Sequence, residues 1–267
     1  SDKNQWQFSY SRRVDRPSIQ QVNPIREWST PLVTSLGNPN LLPQFTNSFE
    51  VNYTRQIKGG SLTFGTFFRR VNDEISTILY KDPNDFTDTK QIKSDDNFKS
   101  NNRYGFEMSA NYRVAKWWRI NSSLDFYSQT LRGVVGNAQS EVNNDVFNAR
   151  ISNSFTATKD LRFQLFAMYR GANQNLQFDV DSMWMLNAGA SYRVLKGKGN
   201  FTFRMNDIFN TMKFGFKSSV PFTQHGQFQG ENQSAYVGFN YRFGGGKNRA
   251  KSRRNRDNNE KQGGGFI

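Results

Sequence analysis

Hydrophobic and polar residues alternate one by one along most of the chain. In the first such segment Trp6, Phe8 and Tyr10 lie on one side and Gln7 and Ser9 on the other, which is the period of a β-strand. The same alternation predicts ten strands, at about 4–13, 49–54, 62–69, 104–112, 118–126, 147–155, 161–169, 186–192, 201–205 and 235–243. We expect each to be near the ~9 to 11 residues that a tilted membrane-spanning strand needs.

The segments between these strands alternate strictly between long and short. The long ones are 15–46, 77–101, 129–145, 171–183 and 211–233, and the short ones are 57–60, 114–117, 157–160 and 194–199. An outer-membrane barrel keeps its short turns at the periplasmic end and its long loops outside, whereas a soluble sandwich has no reason to do so. The fold class predicted is therefore all-β, an antiparallel transmembrane β-barrel, with its aromatic face toward lipid and its polar face toward the lumen.

Composition narrows the choice further. The 267 residues have a mean hydropathy of −0.79 but are 15% aromatic, and apolar runs such as 183–186 are far shorter than the ~20 residues of a membrane-spanning helix. Without Cys and with a single His, the chain has neither a thiolate site nor a multi-histidine site. We predict no cofactor and no metal.

The alternative is a soluble β-sandwich or closed soluble barrel with the aromatic face as its core. Such a core would normally be richer in Val, Ile and Leu. Tyrosines also gather at the short-turn ends, each followed closely by arginine: Tyr53, Tyr112, Tyr192 and Tyr241. These positions suit an aromatic girdle at a membrane interface and favour the membrane barrel.

The last segment, 244–267, is rich in Gly, Arg and Lys. Its seven basic and two acidic residues give 7 − 2 = +5, and it has too little apolar surface to fold. Since the last strand descends to the short-turn side, we expect a disordered periplasmic tail after a barrel domain at 1–243. No nucleic-acid motif accompanies it, so acidic lipid headgroups, the cell-wall polymer or an outer-membrane or periplasmic protein are the expected partners.

Seven segments, in this order, carry a resemblance to a known family: YSRRVDRP at 10–17, NP at 23–24, GNPNLLP at 37–43, NSFE at 47–50, NRYGFE at 102–107, NDIFNT at 206–211 and NYRFG at 240–244. The chain resembles the C-terminal part of a TonB-dependent receptor, especially the branch common in Bacteroidota. That resemblance implies the outer membrane of a Gram-negative bacterium and a 22-strand barrel around an N-terminal plug. It also implies an energy-transducing TonB-type partner and uptake of a scarce ligand.

Ten strands would then be the closing part of a larger barrel, although a closed ten-strand barrel is geometrically allowed. Physical reasoning supports four of the quoted segments. Pro17, Pro24, Pro39 and Pro43 cannot lie in a central ladder and belong in the first long loop. Gly105 inside a strand indicates a bend or a close backbone approach.

His225 invites a catalytic interpretation, because some ten-strand outer-membrane hydrolases use a histidine. Its neighbours Gln224 and Gly226 supply no acidic partner, and the nearest acid in sequence is Glu231, so we predict a solvated loop histidine and no enzyme. The acidic loop at 82–88, with 95–96 beyond it, has oxygen ligands that suit calcium. It lacks the central glycine and closing glutamate of the helical-hand pattern, so we interpret it as an acidic surface loop.

For ligand capture we select aromatic and polar loop residues: Trp28, Tyr80, Phe86, Phe178, Trp184, Phe222 and His225. Charges predicted to face the lumen are Glu50, Arg69, Glu107, Arg119, Asp125, Arg150, Arg162, Arg204 and Arg242. Buried charges need partners, so these pair with a plug or one another, or line water. The alternative function is a non-transporting receptor-like barrel that serves as a structural subunit of an outer-membrane complex, with the tail as its docking segment.

Overall fold

The computed structural model describes residues 3–136 and 138–243. The described residues form these strands: β1 Asn4–Asp15, β2 Glu27–Thr30, β3 Val33–Ser35, β4 Gln44–Ile57, β5 Gly60–Lys81, β6 Gln91–Ala115, β7 Trp118–Val135, β8 Ala138–Thr156, β9 Leu161–Arg170, β10 Asn173–Gln174, β11 Asp179–Val180, β12 Met183–Val194, β13 Gly199–Asn206, β14 Lys213–Ser218, β15 Gln224–Gln229 and β16 Ser234–Tyr241. The helical elements among them are α1 Ile19–Val22 and a 3₁₀ turn at Leu195–Gly197. No helix among these residues is long and apolar enough to cross a membrane. The predicted tail at 244–267 lies outside the described residues.

In the large sheet ten strands pair antiparallel in the order β1-β4-β5-β6-β7-β8-β9-β12-β13-β16, and we call these ten the wall. The β2–β3 hairpin joins the same sheet through β3, which runs parallel to β6. These ten strands correspond to the ten predicted from the alternation, so the all-β antiparallel architecture is confirmed. Within the described residues β1 and β16 lie at opposite ends of the wall and do not pair with each other. The wall is therefore an open sheet and not a closed ten-strand barrel.

The wall has one aromatic and one polar face, as the alternation predicts. On the aromatic face rings meet across strands: Trp6 lies 4.8 Å from Tyr53, and Phe201 lies 4.5 Å from Phe239, between ring centroids. Such cross-strand pairs stabilise a sheet beyond the area they bury. The rings remain open to the surroundings, with Trp6 62% exposed, which suits a face that meets lipid.

The central strands are longer than predicted. β5 and β6 contain 22 and 25 residues, so at ~3.3 Å per residue each is well over twice as long as the ~30 Å hydrocarbon core is thick. The expected long loops at 77–101 and 129–145 were therefore wrong in extent, because paired strand continues to Lys81 and to Val135. Outside the membrane no aromatic face is needed, so the alternation fades while the hydrogen-bonded ladder continues.

A second, four-stranded sheet forms within the predicted loops 171–183 and 211–233. Its order is β10-β11-β14-β15, and we call it the cap. Buried apolar side chains gather at the long-loop end of the wall, on β5 to β8: Leu79, Ile92, Phe98, Leu131 and Val146. The hydrophobic core of the described residues thus lies at this end and not in the membrane-spanning part of the wall.

Two predictions from single residue types hold. Pro17, Pro24, Pro39 and Pro43 all fall between the end of β1 and the start of β4 or at its threshold, outside any strand. At Gly105 a Cβ atom would lie 2.2 Å from the backbone oxygen of Phe126. The close backbone approach is confirmed, because no side chain fits there.

Candidate functional site

The cap lies across the upper end of the polar face. Gln129, on β7, donates from Nε2 to the Asn173 side chain at 2.8 Å and to the backbone oxygen of Gln174 at 2.9 Å. Asn144, on β8, donates to the same Asn173 oxygen at 3.2 Å. The register puts Gln129 opposite Asn144, so two neighbouring wall strands hold the start of the cap by amide side chains.

A glutamine also attaches the cap to strand β5. Pairing of β4 with β5 ends at Asn72, which leaves the edge of β5 beyond it without a strand neighbour. Gln177, in the β10–β11 connection, accepts from the Leu79 amide and donates to the Leu79 carbonyl, both at 2.7 Å. Because unpaired backbone groups are costly when buried, this single amide satisfies the strand edge as a residue of a neighbouring strand would.

Between these two sets of hydrogen bonds the cap makes an apolar contact with the wall. Gly133 leaves room for Leu176, whose Cδ1 atom would lie 2.6 Å from a Cβ at that glycine, while Phe98 would lie 2.9 Å from it. Farther along, Gln91 and Gln224 exchange reciprocal amide hydrogen bonds of 3.2 Å. The cap is therefore joined to β5, β6, β7 and β8 by both polar and apolar contacts.

Three of the seven predicted ligand residues lie in the cap. Phe178 packs edge-on against Phe216 with centroids 5.8 Å apart, and the Lys81 ammonium lies 5.1 Å above the Phe222 ring. His225 is exposed and faces Lys217 across the β14–β15 pair. These three positions bring two phenyl rings and one imidazole to the long-loop end of the wall.

The other four lie on different elements. Tyr80 is near the tip of β5, where burial raises the pKa of its hydroxyl. Trp28 lies in β2 and is 74% exposed, and Phe86 lies fully exposed in the β5–β6 connection. Trp184 is the second residue of β12 and lies on the aromatic face, with its ring 5.8 Å from that of Phe209. The structure thus gathers part of the predicted set and leaves the rest apart.

The carboxylates Asp82 and Asp85 of the acidic loop already accept hydrogen bonds from other groups of the protein. Asp82 pairs with Arg26 at 2.5 Å, and this hydrogen bond lowers the pKa of its carboxyl. Asp85 accepts from the Thr87 hydroxyl and from the amides of Lys90 and Thr89, which hold its pKa far below the usual range. Over residues 3–136 and 138–243 no group of three or more His, Cys, Asp or Glu side chains is arranged to hold a metal ion.

The charges of the polar face divide into two kinds. Glu50 pairs with Arg69 at 3.5 Å, and Asp125, directly opposite Glu107 in the register, accepts from Asn148 at 2.7 Å. The remaining predicted charges form no side-chain ion pair within the described part of the chain: Arg119, Arg150, Arg162, Arg204 and Arg242.

Sequence reasoning did not select two groups that the structure brings out. Asn101 donates to Glu74 at 2.8 Å and Arg103 pairs with it at 3.1 Å, just below the cap. Asp207, only 1% exposed, accepts from the amides of Thr211 and Met212 at 3.0 Å. The NDIFNT segment was the available signal for the second group, because Asp207 closes that tight turn.

Comparison with known proteins decides the family. The chain matches the Outer membrane protein beta-barrel family over residues 1–241. It belongs to this family. Sequence comparison with curated proteins finds no match, and nothing bears on the predicted Bacteroidota branch, which stays a prediction.

Solved structures extend this result for the barrel. The siderophore receptor PirA from Pseudomonas aeruginosa shares 14% identity at a TM-score of 0.60, over 90% of this chain and 39% of that one. The ferric-catecholate import receptor Fiu from K12 E. coli shares 15% at 0.59, over 91% and 33%. The copper transporter OprC shares 10% at 0.59, over 90% and 38%.

These neighbours confirm a receptor-like fold for this outer-membrane β-barrel chain. The chain spans about two-fifths or less of each neighbour's length. At such identities the likeness is one of fold, so it assigns no ligand.

Proposed function

We propose that the chain is the C-terminal barrel portion of a TonB-dependent receptor-like protein that takes up a scarce ligand through a plugged barrel. The observation that supports this best is the cap. Loops of a purely structural barrel need no built surface, whereas here Gln177, Gln129 and Gln224 tie a folded sheet across the upper polar face. Binding residues are commonly carried on loops that a rigid scaffold positions.

In this proposal the cap and the connections around it capture the ligand outside the cell. A plug domain from the rest of the protein closes the barrel, and an energy-transducing TonB-type protein drives its displacement. The tail at 244–267 extends into the periplasm, because β16 descends to the side of the short turns. The ligand candidates named by the fold neighbours, siderophores and copper, are starting points for the test.

The test uses the bacterium that makes the protein. A gene deletion is competed against its parent in media in which iron, copper, a vitamin or a complex glycan is the limiting nutrient. We expect a growth defect under one limitation, and we expect no additional defect when the TonB-type gene is also removed, because both act in one uptake route.

The structural-subunit alternative makes the opposite prediction. Equal growth in every medium, together with a stoichiometric partner that copurifies with the barrel and is lost when 244–267 is deleted, would refute uptake. A growth defect that survives deletion of the tail, with no such partner, would refute the scaffold.

A further inference from the structure

One half of the polar face carries arginines and no carboxylates. On strands β8, β9, β12, β13 and β16 the residues of this face alternate with the aromatic ones, and the register lines them up across strands. The cationic side chains of this set, which we call the arginine track, are Arg150, Arg162, Arg170, Arg193 and Arg204. The acidic residues of the polar face, including Glu50, Glu107 and Asp125, lie on β4 to β7.

The arginine track has no partner in the described chain. None of its five guanidinium groups forms an ion pair or a side-chain hydrogen bond within residues 3–136 and 138–243. On the other half of the wall, by contrast, Arg69 pairs with Glu50 and Arg103 with Glu74. Charges on the lumen side of a barrel need partners or water, so the track is open to a partner from outside this chain.

Around Arg162 and Arg204 the neighbouring positions of this face are small or polar, whereas Phe166 and Met168 lie farther up β9, between Arg162 and Arg170. Gly189 lies opposite Arg204, and Ser191 lies opposite both Arg162 and Thr202. Next to them an open groove runs along β13 and β16, lined by Thr202, Arg204, Tyr236 and their neighbours. Short side chains let another backbone approach closely, and hydroxyl groups offer hydrogen bonds to it.

Guanidinium groups fit carboxylates with particular geometry. The planar fork of arginine makes two parallel hydrogen bonds to a carboxylate, and it is less strongly hydrated than an ammonium group. Lysine is missing from the polar-face positions of these strands, although the chain as a whole is rich in basic residues. The use of arginine and not lysine at these positions favours carboxylates held in place as the partners, over loosely held counterions.

We propose that the arginine track is the docking surface for an acidic polypeptide segment inside the barrel. The segment is rich in Asp and Glu, lies against β8 to β13, and belongs to the part of the protein that fills the lumen. This inference rests on the proposed function, because it assigns the chemistry of the plug surface that faces these strands. It also fixes how that plug is rotated in the barrel, since its acidic side must face the track.

The test places a photo-crosslinking amino acid between the arginines, at Gln164 or Thr202, in the full-length protein in its own outer membrane. After irradiation, the crosslinked peptide is identified by mass spectrometry. We expect a peptide of net negative charge from the same protein. As the matched position, the probe is placed at Ser109, on the polar face of β6 opposite Ser123, where a different peptide is expected.

Charge changes then test the cause. Arg162→Gln together with Arg204→Gln should lower the Gln164 crosslink about tenfold or more, whereas the Ser109 crosslink is unchanged, because truncating one side of a desolvated charge pair costs at least a factor of this size. Arg162→Lys with Arg204→Lys keeps the charge and should retain part of the crosslink.

A neutral or basic peptide at Gln164 overturns the proposal, and so does the absence of any peptide, which would mean that the track lines water or holds small anions. If the glutamine variants fail to assemble, the identity of the wild-type crosslink alone decides. Nutrient uptake is measured separately. A retained acidic crosslink without uptake would refute the transport function and leave the docking surface standing.

Discussion

Gln177 completes the exposed edge of β5 at Leu79. Its Oε1 accepts from the Leu79 amide and its Nε2 donates to the Leu79 carbonyl, both at 2.7 Å. Both residues are buried, at 8% and 9% exposure. The Gln177 side chain therefore makes the two hydrogen bonds that a neighbouring strand would otherwise make at Leu79. The position of the cap is thus coupled to the hydrogen bonding of the β5 edge.

We expect Gln177→Ala to loosen the cap without unfolding the wall. Two buried backbone groups lose their partners, at about 1–3 kcal/mol for each unsatisfied group. Limited proteolysis should cut 171–183 faster, and hydrogen exchange at the Leu79 amide should accelerate. The migration of the unheated, folded barrel in a denaturing gel should be unchanged. Gln227→Ala, at an exposed position of β15, is the control. Equal proteolysis of both variants would show that the Gln177 contacts do not hold the cap.

Gly105→Ala should impair barrel assembly. The added Cβ would lie 2.2 Å from the Phe126 oxygen, and backbone cannot move aside without breaking the β6–β7 ladder. The matched control is Gly189→Ala, because a Cβ there meets the Phe203 oxygen at an ordinary 3.4 Å. The measurement is the fraction of each variant that reaches the outer membrane folded. Wild-type levels of the Gly105 variant would contradict the tight approach.

The loop that follows β5 should keep its structure over the whole physiological pH range. Hydrogen bonds from Thr87, Lys90 and Thr89 hold the pKa of Asp85 below its usual range. A carboxyl with a lowered folded-state pKa contributes stability that is complete above its unfolded pKa, near ~3.9, and is lost as the pH falls through the folded value. Amide protection at Thr89 and Lys90 should therefore be constant down to about pH 5 and decline only well below it.

Two variants distinguish the contribution of the Asp85 carboxylate from that of Asp88. Asp85→Asn should lower the protection of both amides at neutral pH and remove its pH dependence. Asp88→Asn, which breaks only the exposed pair with Lys81 at 2.7 Å, should leave both amides protected. Protection in wild type that already falls between pH 7 and pH 5 would contradict the assignment to Asp85.

The orientation of the wall can be read by labelling. The chain contains no Cys, so single introduced thiols report without background from this segment. Phe86→Cys, in the β5–β6 connection, should react in intact cells with a maleimide too large to cross the outer membrane. Lys159→Cys, exposed in the short β8–β9 turn, should react only after the membrane is opened. The reverse pattern would invert the proposed orientation and move the tail outside the cell.

The alternation of side chains was sufficient to predict the wall, because lipid on one side and a polar lumen on the other act on every strand alike. It failed above the membrane, where β5 and β6 continue to Lys81 and from Gln91 without a two-sided environment. Asp73, with a φ of 55°, also distorts β5 there and has no partner in the register with β6. The ladder persists by backbone hydrogen bonds, which leave no pattern in the sequence.

The cap could not be predicted for a different reason. Its contacts join positions far apart in sequence, such as Leu79 with Gln177 and Gln91 with Gln224, and an amide that replaces a strand looks like any other loop glutamine. Aromatic residues marked part of the site, since Phe178 and Phe222 do lie in the cap. They did not mark its anchors, which are polar.

Because the hydrophobic core lies at the upper end of the wall, the two ends of the wall are stabilised in different surroundings, lipid below and water above. Where the lower wall faces lipid, no water is present to compete for backbone groups, so hydrogen-bonded pairing holds the strands. Around Phe98 and Ile92, by contrast, burial from water supplies the driving force, and with it the positive heat-capacity change of unfolding. Calorimetry should therefore resolve the upper end as a separate transition with a curved temperature dependence, which cooling as well as heating destabilises while the strands below remain paired.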